Sequence, residues 1–578
     1  MKQQIRIKNH KKTERKYTQV TNVVEMLDVM RGHGDRTLYL WNGKKPSDPT
    51  NSMTYAEFVA DAEALAGAQA ASGLRDSAPV AIIGPTTQMW MGAYVSTLAA
   101  GNVVVPMDKE LSETAIAGFL DKVNTQAIFF GASLGEMMVR IAAGNSRLIR
   151  LVQMDQGAPL PAGADERFTT YDDFLAMGRT AVSAGYTVPP VTDNRKMSEL
   201  LFTSGTTGTS KCVMLCQDNV FSVVCSACAT VDFAPEDTIV SVLPIHHTYE
   251  LACQLALMNY GGTIAINDSL RHVVTNFKKY KPTGIVLVPL FVNTLYKRIW
   301  SEARNSGKDN LLHYGAKVSN ALLSVGIDIR KKLFAQVRDA FGGNLTKIIC
   351  GGAALAPSLI YAFESFGISI YEGFGITECS PLTNVTPYYA RKPGSVGPAV
   401  PCCQVRIEPD GNLSDDGHET GEIQVLGSNV MLGYYGDAEA TAAAFTEDGW
   451  FRTGAIGYMD KDGYLYITGR IKSVIVLENG KNVFPEEIEE YLDPVEQIAE
   501  CVVVGRKDGG AIKLTALIYP AQEFAQDKSA EELHAFFHDE IAKINRNLPS
   551  FKQVQAIELV DHEFEKTTSR KIIRHLVK

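Results

Sequence analysis

Short apolar runs rich in Val and Ile alternate with longer helical stretches through the first three hundred residues. One such run, residues 78–83, precedes a helical stretch over 89–98. Further runs lie at 127–130, 147–152, 238–243, 263–266 and 284–288. This alternation predicts an α/β chain whose strands are mainly parallel.

The pattern changes near residue 396 to short alternating strands separated by turns. The turn signals are Asp410-Gly411, Asp416-Gly417, Asp448-Gly449 and Asp462-Gly463. A β-rich subdomain is therefore predicted over about 396–471. From about residue 475 helices and strands mix again, with a helix expected over 486–491 after Pro485. That stretch is long enough for a separate α+β lobe.

Composition excludes several classes of protein. Hydrophobic residues make up 45% and charged residues 21% of the 578, as in ordinary globular chains. With 56 basic and 65 acidic side chains the net charge is -9, which argues against a nucleic-acid partner. No secretory signal and no apolar run of membrane-spanning length is recognisable. We therefore expect a cytoplasmic protein.

Two local features change this picture little. Residues 1–16 carry seven Lys or Arg and one acid. This basic N-terminal arm, residues 1–20, is interpreted as a solvated tail, with weak contact to an anionic membrane surface as the alternative. Cys225 and Cys228 form a CxxC in apolar surroundings, and we interpret them as buried small residues rather than a metal or redox site.

The sharpest local feature is a loop of Thr, Ser and Gly that ends in Lys211. It lies within residues 200–215, LLFTSGTTGTSKCVML. Small residues permit close backbone approach, and hydroxyls, amides and one Lys can together hold phosphate oxygens. The loop is not a Walker A motif, because Ser210 rather than Gly precedes Lys211. A phosphate-binding loop is predicted.

Eight segments in order resemble the adenylate-forming superfamily of acyl-CoA synthetases, luciferases and peptide-synthetase adenylation domains. They are TSGTTGTSK (203–211), LPIHH (243–247), GGAAL (351–355), YEGFGITE (371–378), GYYGDAEAT (433–441), GWFRTG (449–454), GRIKSVIVLENGKNVFPEEIE (469–489) and KTTSRKIIR (566–574). Segments 246–250, 286–299, 331–355 and 563–574 look more like long-chain fatty acyl-CoA synthetases than like other branches. The resemblance covers almost the whole chain beyond the arm.

The resemblance implies both a fold and a reaction. The fold is a body over 21–471, built from two mainly parallel α/β subdomains and the β-rich subdomain, followed by a mobile lobe over 472–578. In the reaction a fatty acid carboxylate attacks the α-phosphate of ATP to give acyl-AMP and pyrophosphate. The thiol of CoA then displaces AMP. Mg²⁺ is the implied cofactor. The main physical demand is electrostatic, because an anionic carboxylate must approach the polyanionic ATP while negative charge develops on the α-phosphoryl oxygens.

Residue roles follow from the same resemblance. The phosphates would be held by Thr203, Ser204, Gly205, Thr206, Thr207, Gly208 and Lys211. Glu378 would bind Mg²⁺, with help from Thr203, because hard carboxylate oxygens suit this cation. ATP and AMP would further contact Gly351, Gly352, Ala353, Glu372, Gly373, Phe374, Gly375 and Thr377. Phe374, where the family usually has Tyr, would stack on adenine.

The remaining roles concern the acyl group and the lobe. His247 would lie near the acyl carboxylate, and Arg470 would contact ribose and phosphates. Lys472 matches the hinge position, and Gly480 would line the thiol channel. Lys571 matches the Lys that neutralises charge on the α-phosphoryl group, with Lys566 as the rival candidate.

Ala455 is the serious departure from the family pattern. It stands where relatives have an Asp that accepts hydrogen bonds from both ribose hydroxyls. Each lost bond should weaken nucleotide binding by ~1.5 to 3 kcal/mol. Either the Asp was replaced to weaken the enzyme, or the chain is a natural member that has drifted to another role. Smaller departures are Ser210, Cys212, Glu565 and Arg570.

Two alternatives to an acyl-CoA ligase stay open. One is a fatty acyl-AMP ligase that loads the phosphopantetheine of an acyl carrier protein. The other is a catalytically silent nucleotide-binding or regulatory homologue, suggested by Ala455 alone.

Overall fold

The structure is a computed structural model that describes residues 7–43, 48–203, 211–414, 416–477, 482–508, 511–567 and 571–577. The first elements are α1 (Val23–Gly32), β1 (Thr37–Trp41), β2 (Asn51–Thr54), α2 (Tyr55–Ala71), β3 (Pro79–Ile83), α3 (Gln88–Ala99), β4 (Val103–Met107), α4 (Glu113–Lys122), β5 (Ala127–Phe130), α5 (Gly135–Gly144), β6 (Arg150–Gln153), β7 (Phe168–Thr170), α6 (Tyr171–Ser183) and β8 (Met197–Thr203).

The chain continues through the rest of the body. These elements are β9 (Lys211–Cys216), α7 (Gln217–Thr230), β10 (Thr238–Ser241), α8 (Thr248–Tyr260), β11 (Thr263–Ile266), α9 (Val273–Tyr280), β12 (Gly284–Leu287), α10 (Pro289–Asn305), α11 (Asp309–Ser324), α12 (Arg330–Leu333), α13 (Ala335–Asp339), β13 (Lys347–Gly351), α14 (Pro357–Ser365), β14 (Ser369–Gly375), β15 (Leu382–Val385), β16 (Cys403–Leu413), β17 (Glu419–Gly427), β18 (Gly433–Tyr434), α15 (Ala438–Ala443), β19 (Phe451–Met459) and β20 (Leu465–Arg470).

Two eight-stranded sheets form the core of the body. One has the order β15-β14-β13-β12-β10-β11-β1-β2 and the other β18-β9-β8-β4-β3-β5-β6-β7. Pairing is parallel from β14 to β1 and from β8 to β7, and antiparallel at β15, β2, β9 and β18. The predicted α/β fold with mainly parallel sheets is confirmed.

A four-stranded antiparallel sheet, β16-β17-β19-β20, forms the β-rich part. Gly417 and Gly463 have φ of 80° and lie in turns between neighbouring strands, as predicted. The turn expected at Asp410-Gly411 is wrong, because both residues lie inside β16, where the pairing register shifts between Pro409 and Leu413. A positive φ of 81° at Gly411 accommodates this irregularity without ending the strand.

The C-terminal residues form their own small core. The elements are β21 (Ile475–Val476), β22 (Asn482–Val483), α16 (Pro485–Leu492), β23 (Ile498–Asp508), β24 (Ala511–Pro520), α17 (Gln522–Ala525), α18 (Ala530–Asn545) and β25 (Ala556–Leu559). Ile488, Leu514 and Phe537 are fully buried between α16, the sheet and α18. The lobe contacts α10 of the body through Asn293, which donates to the Asp493 carbonyl at 2.7 Å.

The N-terminal arm lies along the body. Thr13 and Tyr388 exchange hydrogen bonds of 2.9 and 2.8 Å, and the Arg15 guanidinium lies 4.3 Å from the Tyr388 ring centroid. The interpretation as a solvated tail is therefore wrong for the backbone from Lys8 onward, although most side chains there are exposed. Sequence pattern missed this because the partners, such as Tyr388, are distant in the chain.

Cys225 and Cys228 are buried in α7, and their thiols donate to the carbonyls of Val20 and Ala256. Both act as small core residues, as interpreted. Within the described residues, no helix has the length and apolar character needed to cross a bilayer.

Candidate active site

The predicted phosphate loop joins β8 to β9. Thr203 ends β8 and Lys211 begins β9, and these two residues are paired across the antiparallel ladder. The Thr203 hydroxyl donates to the Lys211 carbonyl at 3.4 Å. Ser204, Gly205, Thr206, Thr207 and Gly208 lie outside the described residues. Both ends of the loop are therefore held together, with the Lys211 side chain at its rim.

Glu378 lies in a short 3-10 turn, Thr377–Cys379, directly after β14. Its Oε1 accepts a hydrogen bond of 3.0 Å from the Tyr434 hydroxyl. The Lys211 ammonium lies 4.3 Å from the centroid of the Tyr434 ring. Tyr434 thus contacts both charged residues predicted for this site: its hydroxyl binds Glu378 and its ring lies beside the Lys211 ammonium. Burial, and then the negative charge of Glu378, raise the pKa of Tyr434 well above its usual range, so the phenol is a neutral donor.

Tyr434 lies within the motif at 433–441, but the motif alone assigns it no role. The residue belongs to β18, which pairs with β9 at Val213. That pairing carries Tyr434 to the loop although more than two hundred residues separate them in sequence. No periodic pattern in the chain could have shown this contact.

The residues predicted to contact the nucleotide, 351–353, 372–375 and 377, lie at the carboxyl ends of β13 and β14, and we call them the nucleotide strip. In doubly wound sheets, ligands bind at such ends. Gly351 ends β13, Gly352 follows with φ of 91°, and Gly373, Phe374 and Gly375 end β14. A β-carbon at Gly375 would lie 1.7 Å from the Pro381 carbonyl oxygen, so only Gly fits there. Ala353 is exposed on the strip.

Glu372 behaves differently from its neighbours on the strip. Its side chain is buried, at 7% exposure, and burial followed by the charge of Glu490 raises the pKa of this carboxyl. Glu490 belongs to α16 of the lobe. The Glu372 backbone therefore lies in the strip while its carboxyl is part of the boundary with the lobe.

Ala455 lies in an apolar cluster with Phe374, Ile423 and Leu465. It is 5% exposed and stands directly opposite Arg470 on the antiparallel pair β19 and β20. Directly opposite residues project from the same face of a sheet. The methyl group of Ala455 therefore occupies a position that the predicted stacking residue, Phe374, and the predicted ribose contact, Arg470, both border.

His247 ends the segment that joins β10 to α8 and immediately precedes α8. Its ring centroid lies 4.3 Å from that of His246. Burial, followed by the neighbouring His246, lowers the pKa of His247 to about 3, and the weaker influence of Asp108 opposes this shift. The charge of Lys571 also contributes to the lowering of this pKa. The imidazole is neutral at physiological pH.

His246 and Asp108 were not singled out by the sequence. Nε2 of His246 lies 3.7 Å from Oδ2 of Asp108, beyond hydrogen-bond distance. Asp108 directly follows β4, so the carboxyl ends of strands from both large sheets meet here. The sequence signal that could have identified Asp108 is an acidic residue placed directly after a buried strand.

Lys571 reaches the body from the end of the lobe. The backbone around it is fixed by Thr567, whose amide donates to the Lys571 carbonyl at 2.8 Å. A β-carbon built on Gly352 would lie 3.6 Å from Cε and 3.8 Å from Nζ of Lys571. Burial, and then the charge of Arg470, lower the pKa of Lys571 to about 8.

The rival Lys566 lies elsewhere. Its ammonium forms ion pairs with Glu500 and, at 2.8 Å, with Glu563, all within the lobe. Of the two lysines, only Lys571 is brought to the strip. Lys472 lies in the 3-10 turn Ile471–Ser473 that directly follows β20, and Gly480 lies outside the described residues.

Comparison with known protein families assigns the chain to one of them. Residues 28–435 match the AMP-binding enzyme family, and residues 472–578 match the AMP-binding enzyme C-terminal domain. The chain belongs to the AMP-binding enzymes.

Similar curated proteins are named as long-chain ligases. This AMP-binding enzyme is 28% identical to long-chain-fatty-acid–CoA ligase FadD15 of Mycobacterium bovis over 479 residues, 78% of this chain and 75% of the relative. It is also 28% identical to the peroxisomal long chain acyl-CoA synthetase 7 of Arabidopsis thaliana, over 83% of this chain and 70% of the relative.

A solved structure shares the fold. The adenylation domain of a carboxylate reductase from Mycobacterium chelonae superposes with a TM-score of 0.79 at 22% identity, covering 96% of this chain and 89% of that domain.

In this AMP-binding enzyme the lobe meets the body through a helix rich in acids. Burial raises the pKa of Glu490 to about 8, and the charges of Glu487, Asp493, Glu486 and Glu489 add to that shift. On the body side, the charge of Glu490 adds to the raised pKa of the buried Glu372. Ionising both carboxyls would therefore work against this docked arrangement, since like charges repel strongly where solvent is excluded.

Proposed function

We propose that the chain activates a fatty acid with ATP and transfers the acyl group to the thiol of CoA. The family match and the two long-chain ligase relatives support this assignment. In the first step a carboxylate oxygen bonds to the α-phosphorus, and the bond from that phosphorus to the bridging oxygen breaks, releasing pyrophosphate. In the second step the thiol bonds to the acyl carbon, AMP leaves, and the thiol proton passes to solvent.

The position of Lys571 carries the proposal. Its ammonium lies 3.8 Å from where a β-carbon on Gly352 would stand, at the strip where we place the nucleotide. Negative charge builds on the α-phosphoryl oxygens as the carboxylate attacks, and a cation fixed beside them stabilises that charge. Arg470 adds a second positive charge close enough to lower the pKa of Lys571.

The residues at the mouth of the phosphate loop fit Mg²⁺. This cation is commonly held by one or two carboxylates together with substrate phosphates and water, not by a complete protein cage. Glu378 supplies a carboxylate oriented by Tyr434, and Thr203 supplies a hydroxyl at the loop edge. When bound there, Mg²⁺ would neutralise charge on the phosphates.

Neutral His247 suits the approach of an acyl carboxylate. With its pKa lowered to about 3, the imidazole carries no charge that would hold the nucleophile in an ion pair. A neutral ring can still donate one hydrogen bond to a carboxylate oxygen and orient it. His247 is thus assigned to positioning the acid.

Thiol transfer requires the ammonium to leave the acyl-AMP. Lys571 is carried by the lobe, and Lys472 is assigned as the hinge between the body and that lobe. Ionisation of Glu372 and Glu490, whose pKa values are both raised, would work against the docked arrangement. The ion pair of Arg304 with Glu496, in contrast, holds it. Gly480 is assigned to the channel through which the thiol then enters.

Product identification tests the assignment. The protein is incubated with ATP, Mg²⁺ and palmitate, then with CoA or with a phosphopantetheinylated acyl carrier protein, and products are separated by mass spectrometry. Palmitoyl-CoA with equimolar AMP supports the proposal. Palmitoyl-AMP that is transferred only to the carrier protein would identify an acyl-AMP ligase instead. ATP binding without any acyl product, from palmitate or from shorter acids, would identify a silent homologue.

A further inference from the structure

An exposed apolar stripe runs along α11, the turn after it and the end of α12. Fourteen large apolar residues are exposed in the described part of the chain, and six of them lie between positions 311 and 333. We define the apolar stripe as these six: Leu311, Tyr314, Val318, Val325, Ile327 and Leu333. Val325 is 72%, Leu311 67% and Tyr314 64% exposed. Leu333 lies against α11, since a β-carbon on Gly315 would stand 3.6 Å from its Cδ2, and exposed apolar residues concentrated in this way indicate a docking surface in soluble folds.

The stripe is separate from the face by which α11 packs on the body. Leu312, Ser319 and Leu323 are the buried residues of this helix. Leu311, Tyr314 and Val318 are spaced three and four residues apart, so they share the outer face. The three outer residues are therefore not part of the buried packing of α11 on the body.

Positive charge surrounds the stripe. Between Lys308 and Leu333 the chain carries five basic and two acidic side chains, whereas the whole protein has a net charge of -9. Lys317, Lys331 and Lys332 are exposed. One of the two acids, Asp328, is held by the Lys8 ammonium at 2.8 Å and by Arg330 at 2.9 Å. The rim of the stripe is therefore basic on an otherwise acidic protein.

The N-terminal arm extends this basic rim. Lys8 binds Asp328 through its ammonium and donates from its backbone amide to Glu364 at 3.3 Å. Lys11, Lys12 and Lys16 are exposed along the same arm. The arm is thereby fixed next to the turn that carries Val325 and Ile327. The Lys8–Asp328 ion pair thus joins the beginning of the described arm to the edge of the stripe, and we call the two together the arm–stripe surface.

We propose that this surface docks on an anionic lipid bilayer. Apolar side chains on one helix face enter the boundary between headgroups and acyl chains, and surrounding lysines bind anionic headgroups. A second copy of the chain fits less well. A twofold contact brings the same patch of both subunits together, so the basic rims would repel each other. The inference goes beyond the proposed reaction, because binding to a bilayer needs no turnover.

Vesicle binding tests the proposal. The full chain is sedimented with vesicles of phosphatidylcholine alone and with vesicles containing phosphatidylglycerol. We expect binding to the anionic vesicles that weakens as salt is raised. The variant Leu311→Ser/Val318→Ser/Val325→Ser should lose at least about tenfold in affinity, since it removes the apolar groups that enter the boundary. Lys331→Glu/Lys332→Glu should also weaken binding to anionic vesicles.

Matched controls separate this surface from general stickiness. Leu413→Ser/Leu426→Ser removes exposed apolar residues, 67% and 40% exposed, from β16 and β17, and should bind like the parent chain. Pyrophosphate release with a soluble medium-chain acid should be unchanged in the stripe variants, which keeps this proposal distinct from the proposed function. Equal vesicle binding by the parent and the stripe variant would overturn the proposal. So would a parent dimer that the stripe variant converts to a monomer in sedimentation velocity.

Discussion

Lys571 and Gly352 meet across the boundary between the C-terminal lobe and the body. A β-carbon on Gly352 would stand 3.8 Å from the Lys571 ammonium, and the backbone there has φ of 91°, which favours glycine. The ammonium is thereby brought to the end of β13. This contact joins an element near the end of the chain to the strip predicted for the nucleotide.

Loss of the Lys571 ammonium should affect the two half-reactions differently. Lys571→Ala should lower fatty-acid-dependent pyrophosphate release by about a hundredfold or more, as for other fixed groups that stabilise developing charge. Conversion of supplied acyl-AMP and CoA to acyl-CoA should change little, because the ammonium must leave for that step. Separate quenched assays of pyrophosphate release and of acyl-CoA formation from acyl-AMP measure the two effects.

Lys566→Ala is the matched control for that variant. Lys566 forms ion pairs with Glu500 and Glu563 away from the strip, so adenylation should persist. Equal loss of adenylation in both variants would mean that the lobe is merely destabilised.

The pH dependence of adenylation should report the Lys571 ammonium. Its pKa is lowered to about 8 by burial and by Arg470, so the free enzyme loses this charge as pH rises through 8. The value of kcat/KM for ATP should therefore fall about tenfold per pH unit above this pKa. Lys571→Arg keeps its charge to much higher pH and should remove the falling limb. If kcat/KM falls in the same way above pH 8 in Lys571→Arg, the fall is due to the titration of another group.

A carboxylate at position 455 should tighten nucleotide binding. Ala455 borders Phe374 in the apolar cluster and stands opposite Arg470. Ala455→Asp supplies an acceptor for ribose hydroxyls, and one charged hydrogen bond of ~1.5 to 3 kcal/mol corresponds to about ten- to 150-fold in affinity. Isothermal titration with AMP measures the gain. Ala455→Val, which adds bulk without charge, should show none, and equal affinities for AMP in all three chains would contradict the ribose role.

Stability should depend on pH through Glu490. Its pKa in the folded protein is raised to about 8 from the ordinary value of 4.5. Between these values the folded state binds more protons than the unfolded state, so stability falls as pH rises, and the loss is complete above 8. Glu490→Gln should therefore raise the midpoint of thermal unfolding at pH 8.5 and have a much smaller effect near pH 5. The exposed Glu439→Gln is the control, and equal shifts at both pH values would refute this origin.

Much of the body could be predicted from apolar runs alone. The runs at 127–130 and 263–266 coincide with β5 and β11, because strands buried on both faces of a parallel sheet read as continuous apolar segments. The signal at Asp410-Gly411 misled because an irregularity inside a strand and a turn between strands both use glycine at positive φ. Local sequence does not distinguish them.

The sequence predicted those site residues that belong to recognisable motifs. It did not predict those that tertiary packing alone brings to the site. Glu378, Arg470 and Lys571 were found through motifs, and their roles stay predictions. Tyr434, His246 and Asp108 were missed as site residues, because each reaches the site through sheet pairing or through the meeting of two sheets. The exposed stripe on α11 was missed for a similar reason. A helical pattern shows which residues share a face, but not which face the body covers.

Release of pyrophosphate from ATP tests the central claim most directly. The parent chain, Ala455→Asp and Lys571→Ala are compared with Mg²⁺ and with fatty acids of graded length, before CoA is added. The proposed adenylation predicts release that requires a fatty acid, increases in Ala455→Asp and collapses in Lys571→Ala. Absence of acid-dependent release from both the parent chain and Ala455→Asp would contradict it.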